Sequence, residues 1–499
     1  MKNALISVSD KTGVVEFAQQ LVEQNFRIIS TGGTYRKLQE AGVENLIEVA
    51  EFTGSPEGLE GRIKTLTPKV FGGILALRDN ASHQKFCEDN EIEYLDLVVV
   101  NLYPFKEAYY DKTKSFEDKV EQIDIGGPSM IRAAAKNYEF CLPVVDPADY
   151  EQVIEEIKTG NGVHIDTRKA LASKVFEMTA HYDLLIAKFW GENSQTSNLR
   201  YGENPHQAAV LVRDPFAKGV NLVDAQQLNG KAMSFNNYQD GTGALELAIS
   251  FEKPFMCIIK HATPCCAAVG ETLEEAWDKG WKHGDQTSAF GGIIALNKVV
   301  DKNVATKIVS FFNEVVIAPG YDADALEILK SKKNLRVLIV PNFHEKTEDL
   351  AMRRVRGGTL IQDLDIHTID EKNIEMVGNT KATSAQISDM LTAWEIVKIV
   401  KSNAIVVVKD GAMLGKGGGQ TSRVEAMQIA IESAGKEGEG AVVASDAFFP
   451  FADGIDLAGA GKIAAIIQPG GSIKDEEVFA RADELGIAMA LTGTRAFLH

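Results

Sequence analysis

Four short apolar runs, Ala4–Val8, Phe26–Ile29, Leu95–Val100 and Leu142–Val145, alternate with helical patterns such as Gly13–Glu23 and Tyr35–Glu40 in the first third of the chain. Short buried strands separated by helices predict a parallel sheet covered by helices on both faces. Open sheets of this kind hold ligands at the carboxyl ends of their strands. Three of the runs lead into polar or Gly-containing turns, "SVSDKTG", "STGGTYR" and "NLYPF", and chemistry is expected there.

A long helical pattern, Asp166–Trp190, follows. The polar segment "GENSQTSN", 191–198, reads as a linker between a first domain, 1–190, and a second region, 199–499. That region opens with "LRYGENPHQ" and is α/β as well. It holds "FMCIIKHATP" and "GIIALN" in its first part, then "NAIVVVKDG" and "AVVASDAFF". Two half-domains of similar rhythm are expected, divided near 345–380. A chain of 499 residues has room for such a division.

Bulk properties exclude several classes. No apolar run approaches the ~20 residues of a membrane helix. The start, "MKNALISVSDK", reads as a first strand and not as a signal peptide. Five cysteines without a paired framework suit a reducing cytoplasm. A net charge of −18 argues against nucleic-acid binding, which needs a basic face. Cations that serve small anionic ligands must then be gathered locally in clefts.

Two segments look suited to phosphate. Ser9, Lys11, Ser30, Thr31, Gly32 and Thr34 stand where strands give way to helices, and helix-start N–H groups with hydroxyls and a Lys seat an anion. Two N-capped helices with glycine turns would look the same. In "GRIKTLTPK", Arg62 and Lys64 share one side of an extended segment. Anion binding and a solvated charged edge both fit. Tyr103 in "NLYPF", with Asp124 and Lys136 in "IDIGGPSMIRAAAKN", could move protons if one cleft gathered them.

The segment "IIKHATPCCAA", 258–268, raises the question of metal. Zinc nucleobase deaminases use His-x-Glu and a distant Pro-Cys-x-x-Cys. Here Thr263 stands where Glu would, and Cys265 and Cys266 are adjacent. Structural zinc sites space their cysteines more widely, so no metal is expected and the thiols read as small buried fillers. Lys260–His261 remains as a cation beside a base that titrates near neutrality.

The order of "SVSDKTG", "STGGT", "GRIKTL", "NLYPF", "IDIGG", "LRYGENPHQ", "KH", "SAFGG", "KSNAIVV", "GGGQTSR", "SDAFFPF" and "QPGGS" resembles the AICAR transformylase/IMP cyclohydrolase family along essentially the whole chain. The resemblance implies a methylglyoxal-synthase-like N-terminal domain followed by two cytidine-deaminase-like subdomains that lack zinc. It implies formyl transfer from 10-formyltetrahydrofolate, as cosubstrate, to the 5-amino group of AICAR. The product, FAICAR, then closes to IMP with loss of water. The same resemblance makes Lys260, His261 and Asn403 the transferase candidates. Arg200, Tyr201, Asn237, Phe290, Gly291, Glu314, Phe448 and Arg495 would surround AICAR. In the first domain Ser9, Lys11, Ser30, Thr31, Gly32, Thr34, Arg62, Thr65, Asn101 and Gly126 would hold nucleotide. Lys64, Tyr103, Asp124 and Lys136 would carry the cyclisation. No catalytic metal is implied; a bound monovalent cation is left open. The expected partners are small molecules and a second copy of the chain in a homodimer, with no nucleic acid and no membrane.

Six positions depart from the family's pattern. Thr67 and Phe71 replace histidines, Thr263 and Cys266 replace Asn and Gly, and Ala496 and Leu498 replace His and Arg near the C-terminus. These keep two alternatives in view: a transformylase with weakened or lost cyclohydrolase, and a nucleotide-binding regulator with decayed catalysis. A zinc deaminase is the third rival.

Overall fold

The structure is a computed structural model; it describes every residue except 57, 60, 61, 195–197 and 346–348. The chain divides into two compact units, Met1–Ser197 and Asn198–His499.

The first unit is built on β1 (Lys2–Val8), β2 (Phe26–Ser30), β3 (Leu46–Glu48), β4 (Leu97–Asn101) and β5 (Leu142–Val144). Their order is β3-β2-β1-β4-β5, and every pairing is parallel. Successive residues of a strand point to opposite faces, and the core divides accordingly. Ala4, Ile6, Leu97 and Val99 join the cluster formed with the helix Val14–Glu23. Leu5, Val98 and Val100 join the cluster on the other face, with the helices Pro68–Leu75, Gly126–Lys136 and Ile165–Glu192. The chain turns outward from β1 in both directions, so the switch point lies between β1 and β4. Gly191 and Glu192, expected in the linker, belong to the long helix. Residues 195–197 of that segment lie outside the described residues.

The second unit holds one twelve-stranded sheet. Starting at one edge, its order is Glu375–Val377, Ala488–Leu491, Ala465–Gln468, Val442–Ser445, Ile405–Lys409 and Ala412–Gly417. It continues with Thr263–Val269, Phe255–Lys260, Ile293–Leu296, Val315–Ala318, Arg336–Ile339 and Gln226–Asn229. The two sets of six repeat one connectivity. Each has an outer first strand, a helix, a tight hairpin at the join, and three strands running outward. The two α/β halves therefore share one continuous sheet, joined where Ala268 pairs with Ala412 in antiparallel sense.

Register fixes which residues share an edge. Ile259 pairs with Ile293, Ile293 with Val315, and Val315 with Arg336. Following the ladders across the join puts Ile405, Gly417 and Ser445 at the same end of the sheet as Lys260. Gln468 and Leu491 end there too. A separate two-stranded hairpin, Leu350–Val355 with Gly358–Asp363, carries exposed Met352, Leu360 and Ile361. No helix among the described residues is long and apolar enough to cross a membrane.

Candidate active sites

In the first unit a cavity of about 710 Å³ opens at the β1/β4 switch point. Asn101, the last residue of β4, builds its floor. Its side-chain oxygen accepts from the N–H of Ser9 (2.6 Å) and of Asp10 (2.9 Å), and its Nδ2 donates to the Asp10 carbonyl (2.9 Å). Thr34 ties the next helix to the end of β1, donating to the Val8 carbonyl and accepting from the Val8 N–H, both at 3.0 Å. Gly32 opens that helix with φ +55°, a left-handed conformation natural to glycine. A Cβ on Gly32 would sit 3.4 Å from the Lys64 ammonium, and one on Gly33 would sit 3.9 Å from that of Lys11. Two ammonium groups thus converge on a helix start, where backbone N–H groups also favour an anion.

Ser9, Lys11, Thr31, Gly32 and Thr34 all line this cavity, as do Arg62, Lys64 and Thr65. Arg62 is ion-paired with Glu121, a lining residue that sequence reasoning missed. Asn101, Tyr103, Asp124 and Gly126 complete the gathering. Two candidates stand apart. Ser30 is fully buried and donates to the Ile6 carbonyl (2.7 Å), tying β2 to β1 beneath the cavity. Lys136 is exposed at the far end of the helix Gly126–Lys136, about 15 Å along its axis from Gly126.

Asp124 and Tyr103 form the titratable pair. Burial raises the Asp124 carboxyl above its usual range, against hydrogen bonds from the backbone N–H groups of Gly127 (2.8 Å) and Tyr103. A Cβ on Gly127 would lie 2.5 Å from the Asp124 Oδ2, so glycine is required for this approach. Burial, and then the Asp124 charge, raise the Tyr103 phenol, keeping it protonated as a donor at neutral pH. The Asp124 shift has a testable sign. The folded chain holds that proton more tightly than the unfolded chain does. The associated stability is full below the unfolded value and is lost as pH rises through the folded one. Asp124→Asn should therefore gain melting temperature relative to the parent as pH is raised from acid to neutral. A difference independent of pH in paired melts would contradict the assigned burial.

The departures Thr67 and Phe71 lie outside the cavity lining. Thr67 caps the helix Pro68–Leu75 by accepting from the Val70 N–H, and Phe71 packs on the core.

In the second unit Lys260 ends the strand Phe255–Lys260, and His261 follows it. His261 and Ala262 form the whole connection of a two-residue hairpin, since Lys260 pairs with Thr263. Both have left-handed φ, 53° and 55°, as a type I′ turn demands. The Lys260 ammonium donates to the Phe290 carbonyl (2.8 Å). Phe290 is exposed, and its ring stands 5.2 Å from that of Phe312. Gly291 (φ +76°) donates its N–H to the Phe312 carbonyl at 2.8 Å. Asn237 donates to the Glu314 carboxylate (2.9 Å), which also meets Arg336 (3.4 Å). Burial lowers the Arg336 pKa, opposed by Glu314 and Tyr201. The Arg200 guanidinium lies over the Tyr201 ring at 5.4 Å.

The other half contributes to the same sheet edge. Arg423, almost fully buried, donates to the Asn403 side-chain oxygen (2.7 Å), the Ser445 hydroxyl (2.8 Å) and Asp446 (2.5 Å). Asn403 Nδ2 donates to the Gln420 carbonyl (3.0 Å), so its amide is held at both ends. Asp446 also accepts from Ser402 (2.6 Å), whose N–H reaches the Leu498 carbonyl (2.8 Å). Ala496 donates its N–H to the Asp446 carbonyl, so the two C-terminal departures dock through backbone. Phe448 is partly exposed, and Arg495 lies 4.6 Å over Phe497. Arg336, Arg423 and Asp446 were missed from the sequence. Arg423 ends the quoted segment "GGGQTSR" and Asp446 sits in "SDAFFPF", but neither pattern reveals a buried ion pair.

The cysteines pack. A bulge between Pro264 and Cys266 puts Cys265 and Cys266 in one apolar cluster with Trp277, and burial raises both thiols above their usual range. Among the described residues no three His, Cys, Asp or Glu side chains are grouped to hold a metal ion.

Comparison with known proteins finds two family models in succession along the chain. A family model described as "AICARFT/IMPCHase bienzyme" matches residues 134–433, and one described as "MGS-like domain" matches residues 13–129. Proteins named "Bifunctional purine biosynthesis protein PurH" match over the full length of both chains. Those of Anoxybacillus flavithermus, Thermoanaerobacter sp. and Bacillus cytotoxicus are 47%, 46% and 45% identical over 511 aligned residues. A solved chain, ForH, is 37% identical, covering 38% of this chain and 98% of its own, with a TM-score of 0.34. With a parallel-sheet MGS-like domain first and the bienzyme region after it, matched end to end by these relatives, the chain belongs to the AICARFT/IMPCHase bienzyme family.

Proposed function

We propose that the chain transfers a formyl group from 10-formyltetrahydrofolate to the 5-amino group of AICAR, then closes the product to IMP, in two sites built from different units. The observation that carries the proposal is the gathering of Lys11, Lys64, Tyr103 and Asp124 in one cavity of the first unit, while His261 stands exposed beside Lys260 in the second.

The AICAR amine is a poor nucleophile, because its lone pair is delocalised into a ring bearing a carboxamide. Attack on the formyl carbon creates an oxyanion and a nitrogen that must lose a proton. His261 is the base, and Lys260 with Asn403 supplies donors to the oxyanion or the departing folate nitrogen. Cyclisation is intramolecular: the carboxamide nitrogen attacks the formyl carbon of the same molecule. Orientation alone can supply about 7–11 kcal/mol. Lys11 and the helix start at Gly32 anchor the phosphate, while Lys64 stabilises the developing oxyanion and Tyr103 and Asp124 handle protons as water leaves. No step calls for a metal.

A homodimer fits this chemistry. Three strand spacings, about 14 Å, separate the strand bearing Lys260 from the strand that follows Asn403. One small reacting centre does not span that gap, and a second copy can bring its own Asn403 to His261. The exposed apolar hairpin at 350–363 offers surface for such a copy, and light scattering should give twice the 54.3 kDa chain mass. We assign the enzyme to the cytoplasm.

The direct test supplies purified protein with AICAR and 10-formyltetrahydrofolate, without added metal, and follows IMP. FAICAR accumulating without IMP would support the transformylase-only alternative. No formyl transfer at all would overturn the proposal.

A further inference from the structure

We infer that Asp240 is a positioning residue that fixes the aim of His261. The inference rests on the reading of His261 as the base. Asp240 is the sixth residue of the helix Phe235–Ile249, and its carboxylate accepts from the N–H of His261 (3.2 Å) and of Ala262 (2.8 Å). Those two residues are the whole connection of the hairpin, and both are held in left-handed backbone without being glycine. Side chains with a Cβ disfavour that region, and type I′ turns prefer Asn-Gly or Asp-Gly. The functional turn therefore needs an external clamp.

The second half of the sheet shows the same device without the imidazole. Asp389 is the sixth residue of the helix Ser384–Val397, and it accepts from the N–H of Asp410 (2.9 Å) and of Gly411 (2.7 Å). The sequence separations, 21 and 22 residues, are identical in the two halves. The lysine before each turn repeats too. Lys260 donates to the carbonyl 30 residues on, at Phe290, and Lys409 does so to Glu439. Where no base is needed the turn is Asp-Gly, the favoured pair. Where His261 stands it is His-Ala. The helix carboxylate is thus fold machinery, and the first half uses it to hold an imidazole on a turn its own residues disfavour.

The test measures formyl transfer in Asp240→Ala, Asp240→Asn and the double variant Asp240→Ala/Ala262→Gly, with Ala262→Gly as reference. FAICAR cyclisation by the first unit and thermal melting report folding. Asp240→Ala should lower kcat for transfer by about 10²-fold, the cost of a misplaced group, with a much smaller change in the KM for AICAR. Asp240→Asn keeps one acceptor oxygen and should lose less. Glycine at 262 relieves the left-handed strain, so the double variant should regain a large part of the lost kcat. Wild-type kcat in Asp240→Ala would overturn the inference, as would a slow Asp240→Ala that glycine at 262 fails to rescue. Failure of the underlying reading shows separately, as normal transfer by His261→Ala.

Discussion

His261→Ala is expected to lower formyl transfer by about 10²–10⁴-fold, the range for loss of a general base, while FAICAR cyclisation continues at the parent rate. The size follows from the reaction. The amine must surrender a proton as the tetrahedral centre forms, and the proposed base, His261, stands exposed on its turn. Lys260 is held to the Phe290 carbonyl and is a poor substitute. The cavity of the first unit, proposed for cyclisation, is not lined by His261. Separate assays with AICAR plus formyl donor and with FAICAR alone resolve the two outcomes. Transfer at the parent rate would remove His261 from the mechanism.

Lys64→Ala should give the opposite pattern, lowering cyclisation by about 10²–10³-fold, the typical loss of one charged or dipolar stabiliser in a site closed to water. The ammonium lies close against the start of the helix Gly32–Glu40, and the cavity offers Lys11 and the ion-paired Arg62 as its other cations. In a chain of net charge −18 such local cations must supply the field for a phosphate. Transfer should be unchanged. A variant that closed FAICAR normally but lost formyl transfer would contradict the assignment of activities to units.

The parallel sheet of the first unit was legible because its strands are continuous apolar runs, the mark of burial on both faces. β3 escaped because Leu46–Glu48 is three residues long and runs straight into a helix. The cavity was legible in kind, since its residues follow strand ends. Membership was harder. Ser30 and Thr31 are neighbours, yet strand alternation turns the Ser30 hydroxyl into the sheet while Thr31 lines the cavity. Lys136 follows the same motif as Gly126, and only the rise of the helix separates them. In the second unit "KHAT" showed no turn signal, because neither His nor Ala is a type I′ residue. The partner carboxylate of Asp240 stands outside that string. The repeat was legible in principle. Ser234, Asn237, Asp240 and Lys260 recur at identical intervals as Thr383, Gln386, Asp389 and Lys409, but the identities are too few to stand out before the hydrogen bonds are seen. The alternative of a decayed cyclohydrolase loses its structural motive, since Thr67 and Phe71 cap and pack outside the cavity.

Mixing two inactive variants tests the division of labour most directly. His261→Ala protein and Lys64→Ala protein, each given AICAR and 10-formyltetrahydrofolate, should make almost no IMP alone. Combined in one solution they should make it at a rate near that of the slower intact step, because FAICAR released by one is closed by the other. If the mixture stayed as inactive as its parts while each retained its own half-reaction, independent sites on the two units would be wrong.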